Sequence, residues 1–152
     1  MATGPASATY ARLAVPSGWA VSRSGRLLAI SKADRSGRWT AVVGVADLVD
    51  DGTGLRARLE SNAVAVRHDF VDARLDPIQD RTISWLPAAR LQGSYTDSAG
   101  EYVRFDELVV AASGRVWIVD AVVRGGAPLD VLADRDAIVA SVALVLPGSW
   151  VK

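Results

Sequence analysis

The chain has 152 residues, no cysteine, and acidic and basic side chains in equal number, 17 of each. Its length supports one domain with a sizeable core, and balanced charge without a basic run gives no phosphate-neutralising surface of the kind nucleic-acid binding needs. Without thiols, disulfides, thiolate catalysis and cysteine-ligated zinc are excluded.

Residues 1–9 are small and polar and read as a flexible N-terminal tail, leaving 10–152 as a single domain. Tyr10 to Val15 alternates as a strand into the turn Pro16-Ser17-Gly18, and Trp19 opens the next strand. Arg26 to Lys32 and Trp39 to Ala46 form a hairpin. Trp39, Ala41, Val43 and Val45 share one face of its second strand, the period-two pattern of a half-buried strand. Ser24-Gly25, Ser36-Gly37, Asp97 to Gly100 and Ser113-Gly114 supply short turns, because glycine reaches positive φ without a steric penalty.

A polar break from Asp47 to Gly54 precedes a helix from about Leu55 to Val71. On a 100° wheel Leu55, Leu59, Ala63, Val66 and Phe70 form the core stripe. The outer side carries Ala57, Ser61, Val64, Ala65 and His68, flanked by Arg58, Glu60 and Arg67, and is poor in charge for a solvated face.

Past the turn at Arg74-Leu75-Asp76-Pro77, four strands follow at Thr82–Leu86, Arg90–Thr96, Tyr102–Ala112 and Val116–Arg124. The last is apolar on both faces apart from Asp120, which marks a central strand covered on both sides. Gly125-Gly126-Ala127-Pro128 ends the sheet. Leu129, Leu132, Ile138 and Val142 dock a C-terminal helix with a break near Asp134, and Pro147-Gly148 closes the domain. The expected class is α+β, an antiparallel sheet with an N-terminal hairpin, one long helix after it and a C-terminal helix packed on the sheet.

This order, with its local signatures, resembles the PsbP-like superfamily. Val15-Pro16-Ser17-Gly18-Trp19 is similar to the opening P-x-G-W strand. Arg81 to Tyr95, with Leu86-Pro87-Ala88-Ala89-Arg90, resembles the strand pair after the first helix. Val116-Trp117-Ile118-Val119 resembles the penultimate strand, and Ile138-Val139-Ala140-Ser141-Val142 the closing helix end. The likeness covers about residues 10–146. It implies a non-catalytic binding, adaptor or assembly protein, since the family has no shared catalytic residues to carry over.

Few residues suggest chemistry on their own. His68 stands alone on the outer helical side and cannot build a histidine metal site. Asp106 and Glu107 are adjacent on a strand and point to opposite faces, so they cannot flank one substrate; partnership with Arg104 or Arg124 explains them structurally. A carboxylate held in an apolar face would have its pKa raised. Asp47, Asp50 and Asp51 lack calcium-loop spacing and suit the start of a helix instead. Gly125-Gly126 is a turn, not a phosphate loop. No metal site or cofactor is expected. Trp39, Trp85 and Trp117 are assigned to the core, while Trp19 and Trp150 are the tryptophans expected at the surface.

The candidate partner surface is therefore Trp19, Ala57, Arg58, Ser61, Val64, Ala65, Arg67 and Trp150, for an unidentified protein partner or a second copy in a homodimer. The alternative is a small-molecule or enzymatic pocket similar to NTF2-like folds, beside Tyr95, Tyr102, Arg104 and Asp106. Neither nucleic acid nor membrane is expected as a partner. MATGPASATYARL lacks the basic start and apolar core of a signal peptide, and no stretch approaches the roughly 20 apolar residues of a membrane span. A soluble cytoplasmic protein is the expectation, although a secreted chain trimmed of its signal reads the same way.

Overall fold

The computed structural model describes residues 3–8, 10–83 and 85–145. Strands β1 (Thr3–Ser7), β2 (Ala11–Val15), β3 (Ala20–Ser24), β4 (Leu27–Ala33) and β5 (Trp39–Val49) precede helix α1 (Leu55–Asp69). Then come β6 (Arg74–Leu75), β7 (Gln79–Ile83), β8 (Leu86–Thr96), β9 (Tyr102–Ala112) and β10 (Arg115–Arg124). Helix α2 (Leu129–Ser141) and the short β11 (Ala143–Leu144) follow. The class is α+β, and every strand pairing is antiparallel. No helix among the described residues is long and apolar enough to cross a membrane.

The large sheet runs β3-β4-β5-β10-β9-β8-β6, with β7 also paired to β8, and a small sheet runs β1-β2-β11. As its two apolar faces require, β10 lies at the centre. One core joins Trp117, Val119 and Ala121 of β10 and Val43 and Val45 of β5 to Leu13 of β2 and Val131 and Ile138 of α2. The other lies on the opposite face, where Leu59 and Ala63 of α1 meet Ala89, Leu91, Val109 and Val116. Trp117 ties the two sheets together: it is fully buried, and its indole N–H donates to the Tyr10 carbonyl at 3.1 Å.

Several expectations are corrected. The flexible tail expected over residues 1–9 contains β1, which pairs with β2; Ala6 is buried, and its small side chain lets the strand lie close. Instead of belonging to a polar break, Asp47 sits within β5, buried between Arg26 and Arg115. Burial pushes its carboxyl up, but the two guanidinium hydrogen bonds outweigh that and hold it below the usual carboxylate range.

Trp19 is buried at 7% exposure, its indole N–H donating to Asp134 Oδ2 at 3.0 Å. Trp85, assigned to the core, is 95% exposed, because β7 ends at Ile83 and Trp85 stands in the turn with φ +70°. Trp39 is half-buried beneath the Arg124 guanidinium, 4.1 Å from the ring centroid. Helix α2 is continuous past Asp134, and Leu129 at its first turn is exposed rather than docked. Pro147-Gly148 lies outside the described residues.

Replacing Trp117 with Ala should lower stability by about 3–5 kcal/mol, since it empties the junction of both sheets and α2. Urea denaturation measures this; a loss below about 1 kcal/mol would mean that the junction is not the centre of the core.

Candidate functional site

The two helices cover opposite faces of the large sheet and different halves of it. α1 lies over β8 and β9, whereas α2 packs on β2, β5 and β10. On the α2 side, β8 and β9 therefore have no helix above them. A cleft of about 640 Å³ opens there, floored by Arg90, Gln92, Asp106 and Ala121 and walled by Arg135, Val139 and Ala140 of α2.

Strand alternation explains why this floor is polar. Residues 90, 92 and 94 of β8 share one side, and Ala89 and Leu91 fill the core under α1 on the other. Arg90 Nε donates to Asp106 Oδ1 at 2.8 Å and its Nη2 to Asp106 Oδ2, a two-pronged bridge across the floor. Gln92 Nε2 adds a bond to Asp106 Oδ2 at 3.3 Å.

At one end of the cleft the register sets three side chains in a row. Ser94 of β8 pairs with Arg74 of β6 on one side and Arg104 of β9 on the other. Cross-strand partners share a face, so both guanidinium groups stand on the hydroxyl's side of the sheet. Neither arginine has an ion pair among the described residues. Gly93 makes the row possible: a Cβ there would lie 2.7 Å from the Arg74 carbonyl oxygen and 2.5 Å from Leu75 Cδ2. At the other end the cleft continues into an apolar recess of about 250 Å³ lined by Ile83, Leu108 and Val119, with Arg81 at its margin. The recess shares Arg90, Asp106, Ala121 and Val139 with the cleft.

Of the residues named for a pocket, Tyr102, Arg104 and Asp106 line this cleft. Tyr95 does not; it faces α1's side and stacks on Phe70 with ring centroids 4.0 Å apart. Asp106 pairs with Arg90 rather than with Arg104 or Arg124. Of the named partner surface, Ala57, Ser61, Val64, Ala65 and Arg67 are exposed on α1. Arg58 is half-buried and pairs with Asp51 at 3.0 Å, while Trp19 is internal. Trp150 lies outside the described residues. His68 is exposed beside Asp69 at 3.1 Å. Among the described residues no cluster of three or more His, Cys, Asp or Glu could hold a metal. Arg74, Ser94 and Arg135 were not legible as site residues, because only strand register and helix placement bring them together.

On the other face Glu107 turns toward α1, where Asn62 Nδ2 donates to its Oε1. Asp120 is its cross-strand partner. Burial, then the Glu107 charge and a hydrogen bond to Glu107, push the Asp120 carboxyl up to about 8. The acid in an apolar face is thus Asp120, and it is protonated at neutral pH.

No family model matches the chain, and no curated protein sequence matches it. Solved structures do. LpqN of Mycobacterium tuberculosis, described as involved in cell envelope biogenesis, superposes with a TM-score of 0.62 at 17% identity, covering 88% of this chain and 82% of LpqN. The Synechocystis PsbP protein, CyanoP, gives 0.57 at 14%, covering 90% and 87%. The Saccharomyces cerevisiae Ran-binding protein Mog1p gives 0.57 at 10%, covering 89% and 90%. The chain spans 46% of the length of a further match from Bacteroides thetaiotaomicron. The chain has the PsbP-like fold of these structures.

Because the folded protein holds the Asp120 proton to about pH 8 and an unfolded chain releases it near pH 4, this group lowers stability as pH rises between those values. The slope is at most about 1.4 kcal/mol per pH unit. Asp120→Asn should remove that slope, so its thermal midpoint should gain on the parent's between pH 5 and pH 8. Parallel midpoint curves across that range would show that Asp120 ionises normally.

Proposed function

We propose that the protein is a non-catalytic binding protein and that the cleft beneath α2 is its recognition site. The observation that carries this reading is a cleft of about 640 Å³, within the range of small-molecule sites, beside α2 where α2 packs on β2, β5 and β10 rather than on β8 and β9. Its fixed polar groups are hydrogen-bonded to one another across β8 and β9, which orients them before anything binds. The likeness to CyanoP and to a Ran-binding protein supports binding over catalysis.

The rival is an adaptor acting through protein contacts on the outer face of α1. Val64, 65% exposed, favours it. It loses Trp19, which is spent inside the fold on Asp134, and no occupant of that face is indicated.

Ala140 is exposed on α2 at the cleft wall, so Ala140→Trp plugs the site without entering the core. Native mass spectrometry of protein purified from its host should show a bound species that Ala140→Trp loses and Val64→Glu keeps. The reverse pattern would move the site to α1, and a bare chain in all three samples would count against a stable ligand.

A further inference from the structure

We propose that the cleft takes an anionic amphiphile, a single carboxylate or phosphate head on an apolar tail of about eight carbons. This deepens the reading of the cleft as a recognition site and rests on it.

The head is assigned by the Arg74–Ser94–Arg104 row. Its two guanidinium groups flank a hydroxyl on neighbouring strands, and neither forms an ion pair among the described residues. Neighbouring strands are about 4.8 Å apart, so the outer two backbones stand about 10 Å apart, near enough for both flexible arginines to converge on one anion. Arginine favours planar, multidentate oxyanions, and Ser94 can donate a further bond. The acids of the cleft weigh against this only in part. Asp106 is neutralised by Arg90, and Asp136 pairs with Arg135 at 2.6 Å. Asp76 remains in the lining, and Asp72, held by Thr96, feels the charge of Arg74, which leaves Arg104 as the cation with neither an ion pair nor a recorded carboxylate neighbour among the described residues.

The tail is assigned by the recess at the other end. Along β9, Arg104 to Asp106 to Leu108 places the row, the Arg90–Asp106 bridge and the recess in succession on one face. Four residues of strand span about 13 Å, the distance that the head and an eight-carbon tail cover together. The recess volume of about 250 Å³ holds about eight water-sized groups, taking about 30 Å³ each. The Arg90–Asp106 bridge is closed on itself, so a methylene chain can cross it without stripping an unpaired charge of water.

The test is isothermal titration of the purified chain with octyl phosphate, octanoate, inorganic phosphate and octyl glucoside, below micellar concentrations, with amide shifts mapped by NMR. Octyl phosphate or octanoate should bind one to one. The stronger of the two identifies the head as phosphate or carboxylate. Affinity should rise about fourfold per methylene and level off near eight carbons. Arg74→Gln and Arg104→Gln, both at exposed positions, should each weaken binding about tenfold, and Ala140→Trp should abolish it.

Equal binding of octyl glucoside would overturn the anionic head, and equal binding of inorganic phosphate would overturn the tail. Binding with shifts outside the cleft would overturn the cleft reading itself. If no probe binds while Ala140→Trp still strips a species from the host-derived protein, this inference fails and the recognition site stands.

Discussion

A helix is narrower than this sheet, and the rest of the structure follows from that mismatch. With its side chains an α-helix is about 10–12 Å across and covers two or three strands spaced about 4.8 Å apart. The main path of the large sheet has seven strands, and each face receives one helix. The small sheet extends cover on the α2 side, where β2 supplies Leu13 and Val15 to the same core. β5 and β10 are apolar on both faces through their middles, with Asp120 the exception on β10. On β8 and β9 the side under α1 is apolar apart from Glu107, and the opposite side changes to arginine, glutamine and aspartate. The open half of the sheet is thus written in the residues that floor the cleft.

Two carboxylates with opposite fates show what burial does in this fold. Asp47 and Asp120 are both drawn out of water, yet Asp47 receives two guanidinium groups and stays ionised below its usual range. It joins the turn before β4 to the first residue of β10. Asp120 is buried beside Glu107 and feels the charge of Asp106 as well, so its cheapest state is the protonated one. Removing a donor from Asp47 would strand a charge. Removing the proton from Asp120 would create one. Neither group opens onto the cleft, which leaves Arg90–Asp106 as the ion pair on its floor.

The sequence made the elements plain wherever a period and a glycine agreed. Tyr102 to Ala112 alternates between two polar turns and matches β9 at both ends. The Thr82–Leu86 strand failed because the turn near Trp85 contains no glycine, proline or asparagine to announce it. Tryptophan at φ +70° defies the usual cue, so the most apolar side chain of the region was assigned inward. Trp19 failed in the other direction. Its burial depends on an acceptor from α2, 115 positions away in the chain, which no local pattern reveals. The pocket residues split for the same reason. Tyr102, Arg104 and Asp106 share parity on one strand and were legible together. Tyr95, odd-numbered on β8, belongs with Leu91 and Ala89 on the far side. Arg74 needed the register of a two-residue strand, set by close approach at Gly93.

Shape and binding chemistry are under different constraints here. Structures that share only 10–17% of their residues with this chain keep its fold, because alternation and volume in two cores suffice to specify it. The cleft floor answers to neither requirement. Arg74, Gln92, Ser94 and Arg104 are not members of either hydrophobic core, and Arg74 and Arg104 are exposed, so they can change without opening a cavity there. Only Gly93 is bound by both demands, since any side chain there would push β6 away and carry Arg74 with it. A common fold thus does not by itself dictate what its surfaces do. In this chain the cleft reads as a row of cations, a closed ion pair and an apolar recess in line.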